Sequence, residues 1–202
     1  MFREQLVHLI EKANEMMVVG EADNIREGFA LIQQKQPNIA ILDITLKGSS
    51  GIELLKDLRA HRINVPVLIL SMHDESIYAE RALRAGARGY MTKHEASENV
   101  LTAIHDILNG LIYLNPRFVS RVMSRMGEGN ELEVRPIDRL ADRELEVFEL
   151  IGRGLTSREI GVRLGLGVTT VDTYRRRIKE KLNLENAARL RWEASRWVQE
   201  RE

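Results

Sequence analysis

The stretch Leu140–Leu184, LADRELEVFELIGRGLTSREIGVRLGLGVTTVDTYRRRIKEKLNL, decides how the second half of the chain folds. Leu145, Phe148 and Ile151 recur at helical spacing, and the helix they predict stops at Gly152 and Gly154, where a left-handed cap costs glycine little. Thr156 and Glu159 form a T-x-x-E capping box that opens a second helix, which buries Ile160 and Leu164 and ends at Gly165. Only Gly165-Leu166-Gly167 separates it from a third helix. Two helices joined by so short a glycine turn predict a helix-turn-helix, whose second helix enters the major groove of DNA.

Val171, Ile178 and Leu182 fall at steps of seven and four and mark the inward side of that third helix. Thr169, Asp172, Thr173, Arg176 and Glu180 then line the other side, flanked by Arg175, Arg177, Lys179 and Lys181. A run of charge alone predicts only a solvated helix face. Behind a capped helix and a glycine turn, it predicts a DNA-binding face, with Arg176 and Thr173 toward base edges and Arg175, Arg177 and Lys179 toward phosphates.

These motifs resemble the effector of the NarL/FixJ response regulators, the LuxR-type four-helix DNA-binding domain. The matching residues are L-x-x-R-E-x-E-V at Leu140–Val147, G-L-T-x-x-E-I at Gly154–Ile160, L-G-L at Leu164–Leu166, T-V at Thr170–Val171 and K-L at Lys181–Leu182. Two positions depart from the family pattern. Ala141 stands where a Thr or Ser usually caps the first helix, so that helix loses its cap or starts from Asp142. Asp172 replaces a frequent Lys, and its carboxylate repels phosphates but can accept from cytosine N4, so the family's site sequence cannot be carried over.

A chain of 202 residues with 44% apolar composition has room for two small domains. Its formal net charge is zero, so contact with nucleic acid must come from a local patch. Cysteine is absent, which excludes a disulfide framework and thiolate metal sites and fits the cytoplasm. The longest apolar run, around Val65–Leu70, is far too short to span a bilayer, and no membrane partner is expected. The histidines, His8, His61, His73, His94 and His105, show no metal spacing, and Met16, Met17, Met72, Met91, Met123 and Met126 read as core filler.

In the first half, short apolar runs at 16–22, 39–43, 65–71 and 87–93 alternate with helical stretches at 24–36, 51–61, 74–85 and 96–109. Such alternation predicts a doubly wound parallel α/β sheet, whose chemistry lies beyond the carboxyl ends of its strands. Asp43, Ser71 and Lys93 occupy those ends. An anionic acceptor, a hydroxyl and an ammonium at one rim suit phosphoryl transfer to a carboxylate. Singly, each is better explained as a turn cap or a solvated lysine.

Together with SGIELL at Ser50–Leu55 and GARGYMTK at Gly86–Lys93, the pattern resembles the response-regulator receiver, a flavodoxin-like fold, from Phe2 to about Leu111. The resemblance implies that Asp43 is the phosphoacceptor, Ser71 the hydroxyl that follows the phosphoryl group, Tyr90 the aromatic that follows Ser71, and Lys93 the phosphate-binding ammonium. It also implies Mg²⁺, a sensor histidine kinase as partner and a homodimer on double-stranded DNA. Lys47 stands where many members have proline.

One departure bears on the chemistry. The family's first strand ends in two adjacent acidic residues that hold Mg²⁺ with the acceptor, whereas here Met1-Phe2-Arg3-Glu4 matches the helix after it, and Glu4 and Glu11 are out of register to replace the pair. Asp43 is then a partial metal site. A start assigned too late and a genuine pseudo-receiver both account for this, and the retention of Asp43, Ser71 and Lys93 favours the first.

The expected organisation is a receiver at 1–112 lacking its first strand, a linker at 113–137 with a short helix from Pro116 to Met126, and a four-helix LuxR-type domain at 138–202. The function this predicts is a two-component response regulator whose phosphorylation at Asp43 controls DNA binding and transcription. The runner-up is a phosphorylation-independent DNA-binding regulator, and a third reading is an interaction module that binds no DNA. No enzyme with its own small-molecule substrate is indicated. Trp192 and Trp197 lie on the last helix, where Leu190, Ala194, Trp197 and Val198 form an apolar stripe suited to core packing or to a dimer contact.

Overall fold

The computed structural model describes residues 2–13, 15–46, 49–72, 75–127 and 136–200. Lys47, His73 and most of the polar GEGNE stretch of the expected linker lie outside the described residues. The chain divides into two compact units.

The first unit is built on a parallel three-stranded sheet, ordered β1 (Ala40–Asp43), β4 (Val67–Ser71), β5 (Gly89–Thr92), with a separate two-stranded pairing of β2 (Thr45–Leu46) and β3 (Ser49–Ser50). Every residue of β4 is buried, and Val67–Leu70 is an unbroken apolar run because both of its faces are covered. Helix α1 (Phe2–Lys12) packs with α5 (Lys93–Leu108), and Ile10 joins Leu68, Leu70, Met91, Val100, Ala103, Ile104 and Ile107 in one cluster. Helix α3 (Gly51–Ala60) packs with α2 (Ile25–Lys35) and α4 (Glu75–Ala85), burying Ile52, Leu54, Leu55 and Leu58. Their starts are set by side chains: Asn24 Oδ1 accepts from the Glu27 N–H at 3.0 Å, and Ser50 and Glu53 form a capping box.

The strand expected at 16–22 does not form. The run keeps a strand's alternation, with Met16 and Val18 packed against the α1–α5 cluster and Met17 and Val19 exposed. A strand also needs a neighbour to complete its backbone hydrogen bonds. Among the described residues no strand lies beside this segment. Its far end is held by Arg3, which reaches Glu21 at 2.8 Å, Asp23 and the Ala22 carbonyl.

The methionine expectation also needs correction. Met91 is buried in β5, but Met17, Met72 and Met123 are exposed, because residue type alone does not say whether a side chain falls on a covered face.

After α5 the chain returns to the sheet: Tyr113 donates from its backbone to the Arg88 carbonyl and accepts from the Tyr90 N–H, both at 3.0 Å. Asn115 then donates from its backbone to Glu75 at 3.0 Å and from its side chain to Glu95, and Pro116 opens α6 (Pro116–Gly127). Burial, followed by the charges of Glu95, Asp106 and Glu75, pushes the Tyr113 phenol up.

The second unit holds a 3-10 turn (Pro136–Arg139) and four helices, α7 (Asp142–Gly152), α8 (Ser157–Leu164), α9 (Val168–Leu182) and α10 (Ala187–Gln199). Helix α7 contacts each of the other three and is buried along nearly its whole length. Ala141 does sit at its N-cap, and Glu144 supplies half of a capping box by accepting from the Ala141 N–H at 2.8 Å. The Thr156–Glu159 box forms, and the Thr156 N–H, then its hydroxyl, hold the Glu159 carboxyl below its ordinary range. Gly165 caps α8 at φ +66°, in the left-handed region that favours glycine, and α9 starts three residues later.

Trp197 packs edge-on against Phe148, with ring centroids 5.6 Å apart, as core packing requires. Trp192, by contrast, is exposed between Arg189 and Arg196.

Candidate functional site

Parallel register brings the expected rim together. Asp43 pairs opposite Leu70 and Ser71 opposite Thr92, so the carboxyl ends of β1, β4 and β5 lie level and Lys93 follows at the first residue of α5. The Lys93 ammonium donates to Asp43 Oδ2, and the Thr45 N–H donates to Asp43 Oδ1 at 3.1 Å. Lys93 also lies 5.1 Å from the centroid of the Phe2 ring, a cation–π distance. Ser71 and Tyr90 are fully buried, Ser71 at the end of β4 and Tyr90 within β5. The rim therefore holds one partly exposed carboxylate with both oxygens engaged, one by an ammonium and one by a backbone amide.

A magnesium ion would not fit this donor set. Mg²⁺ takes near-octahedral oxygen ligands, usually a carboxylate or two with phosphate and water oxygens. Asp43 is committed to Lys93, Glu4 and Glu11 are exposed on α1, and no group of three His, Asp or Glu suited to a metal gathers among the described residues.

The seven residues expected to face DNA all lie on α9. Thr169, Asp172, Arg176 and Arg177 are exposed, and Thr173, Arg175 and Lys179 are half-buried, while Val171 and Ile178 point fully inward. Leu182, expected inward, is only half-buried at the helix end. The Thr173 hydroxyl donates to the Thr169 carbonyl at 2.9 Å, a back-bond within the helix, and Arg176 pairs with Glu180 at 2.7 Å. Both partners of that pair are well exposed, so it is weak and leaves the guanidinium exchangeable. Lys181 instead binds the buried Glu144 at 2.6 Å and serves the domain's packing.

Several residues with clear roles escaped sequence reasoning. Arg143 is buried, pairs with Glu146 and donates to the Leu164 carbonyl at 2.8 Å, tying α7 to the turn before α9. Ser157 donates to Asp172 Oδ1 at 2.7 Å, linking the first residue of α8 to α9. Phe2 and Asn115 act across the fold in the same way. No periodicity marks such partners, because each lies in another element.

Known proteins share this arrangement. The model of the response regulator receiver domain family matches residues 1–105, and that of the luxR family of bacterial regulatory proteins matches residues 138–192. A putative transcriptional regulator of Pseudomonas aeruginosa is 34% identical over 91% of this chain and 87% of its own length. The nitrate/nitrite response regulator protein NarL of Escherichia coli is 30% identical over 98% of this chain and 90% of its own. Among solved structures, a LuxR-family two-component response regulator from Aurantimonas matches at a TM-score of 0.58 and 33% identity, covering 61% of this chain and 89% of that one. Salmonella RcsB, solved on promoter DNA, matches in fold at a TM-score of 0.57 and 22% identity over 93% of this chain and 90% of that one. A rim of Asp43 and Lys93 on a parallel sheet, a capped helix-turn-helix with a basic outer face, and these matches over both units lead to one conclusion: the chain belongs to the response regulators that join a receiver to a LuxR-type DNA-binding domain, a family of transcriptional regulators and not of enzymes.

Proposed function

We propose that this regulator is switched by phosphoryl transfer from a sensor histidine kinase to Asp43, and that the switch controls how α9 engages promoter DNA. The contact between Lys93 and Asp43 carries this reading: an acceptor carboxylate and its ammonium partner stand at the C-terminal rim, where such sheets place their chemistry. Transfer to an Asp43 oxygen breaks the P–N bond of the donor phosphohistidine and forms an acyl phosphate, which replaces the carboxylate's single charge by about 1.5–2 charges on the phosphoryl oxygens, a net gain of at most about one. Lys93 would then move from the carboxylate to the phosphoryl oxygens, and Ser71 and Tyr90 would carry the change into the sheet. The receiver spans 1–112, the linker 113–137 and the effector 138–202, with α6 inside the linker. The protein works in the cytoplasm as a homodimer on double-stranded DNA.

A second reading has its own support. With both Asp43 oxygens engaged and a donor set unsuited to Mg²⁺, the first unit would serve as a contact domain and DNA binding would be independent of phosphate. Acetyl phosphate, with phosphate-affinity electrophoresis and promoter binding measured together, separates the two. The first reading expects a shifted band that Asp43→Ala abolishes and a changed affinity for promoter DNA. An unshifted band with unchanged binding establishes the second.

On α9, Arg176→Ala is expected to cost roughly 1–3 kcal/mol of binding and to relax preference at one base position, while Lys179→Ala weakens all duplexes alike and lowers the salt slope by about one. Titrations of a selected and a scrambled duplex over a range of salt check both, and equal losses on the two duplexes from Arg176→Ala would remove its base-reading role.

A further inference from the structure

We infer that Asp172, held in place by Ser157, is a specificity element of α9 that selects cytosine through its N4 amino group. The inference rests on α9 entering the major groove. Asp172 is the fifth residue of α9, and residues near the start of a recognition helix are those that reach base edges. It lies on the exposed side of the helix beside Thr169, Thr173 and Arg176.

A carboxylate there opposes affinity as such. Every phosphate contact is weakened by a nearby negative charge, and the neighbouring cations Arg175, Arg177 and Lys179 would be partly offset. Two observations show how the charge is placed. Arg176 stands four residues on, in reach of an ordinary helical ion pair, yet it pairs with Glu180. The Ser157 hydroxyl, on a different helix, donates to Asp172 Oδ1 at 2.7 Å, which fixes the carboxylate and leaves Oδ2 for an outside donor.

The chemistry of the groove then picks the base. Guanine and thymine present acceptors, N7 and O6 or O4, which a carboxylate repels. Adenine offers its N6 amino group beside the N7 lone pair, so attraction and repulsion compete. Cytosine presents only a donor at N4. Asp172 therefore acts in part by rejecting the other bases, a specificity bought with overall affinity. Ser157 is its positioning residue.

The test uses the full chain, with selection from a randomised duplex library followed by titration of the selected duplex and of its single-position variants. The unaltered protein should select C·G at one position in each half-site and lose roughly tenfold when that pair is changed. Asp172→Ala should abolish discrimination at that position alone and bind an unrelated duplex more tightly. Ser157→Ala, with helix content checked by circular dichroism, should weaken discrimination at the same position by a smaller factor and leave the others alone. Asp172→Ala selecting the same site with the same discrimination would overturn the inference while leaving DNA binding intact. So would selection of a base other than cytosine at the position this variant alters, or a Ser157→Ala effect spread evenly over all positions. Failure of the unaltered chain to bind any duplex would overturn both this inference and the groove-binding reading beneath it.

Discussion

Replacing Arg143 by methionine is expected to destabilise the second unit by about 3–5 kcal/mol and to abolish DNA binding at ordinary temperature. Arg143 is 3% exposed and Glu146 fully buried, so removing Arg143 takes an ion-pair partner from a carboxylate in the interior. The Leu164 carbonyl, at the end of α8, loses its donor in the same step, and with it the turn that aims α9 loses its tie to α7. Against a typical stability of roughly 5–15 kcal/mol, the loss is a large fraction of the total. Urea unfolding followed by residue-resolved amide exchange should show α7, α8 and α9 opening far more readily while the amides of β4 and β5 keep their protection. The double variant Arg143→Met, Glu146→Leu should recover more than half of the loss, since an apolar pair avoids the desolvation that a lone carboxylate suffers. A double variant no more stable than the single one would show that the carbonyl contact, and not the ion pair, governs the site.

Gly51→Ala should have the largest effect in the first unit. The Gly51 N–H donates to the Ile44 carbonyl at 2.7 Å, drawing the start of α3 against the end of β1, and a Cβ there would fall well inside contact distance of the Asp43 carbonyl oxygen and within 3.0 Å of its carbonyl carbon. Both obstacles are backbone, so no rotamer change relieves them. We expect a loss of about 3 kcal/mol, at the upper end of ordinary overpacking. The helix must retreat from the end of β1 or push the Asp43 backbone away from it, so the contact with Lys93 should change. Denaturant midpoints together with the ¹⁵N shift of the Lys93 ammonium would record both effects. Unchanged stability with an unchanged Lys93 signal would mean that α3 can move away without disturbing the rim.

Gly51 shows how much of the candidate site was legible in the sequence. It was visible as a letter of the SGIELL motif, but its reason is a close approach between β1 and α3 that only the packed structure contains. Asp43, Ser71 and Lys93 could be named as rim residues because strand ends are read from apolar runs, and a parallel sheet sets those ends level. That Asp43 would be engaged on both oxygens could not be read, since Thr45 acts through its backbone and Lys93 lies fifty positions on. The same holds on α9, where helical spacing revealed the exposed stripe but not the hydroxyl of Ser157 behind Asp172.

Local chemistry in the sequence determined most of the elements. Caps such as Asn24, Ser50 and Thr156 start helices, Gly165 ends one, and apolar periodicity separates β4 from the amphipathic helices, because each of these forces acts over a few residues. The segment 16–22 is where that logic failed. Its composition and alternation are those of a strand, and Met16 and Val18 are packed as a strand's side chains would be, yet it makes no ladder. Tertiary structure decided the point, because a strand exists only when a second backbone lies alongside to complete its hydrogen bonds, and neither side-chain pattern nor propensity can supply that neighbour.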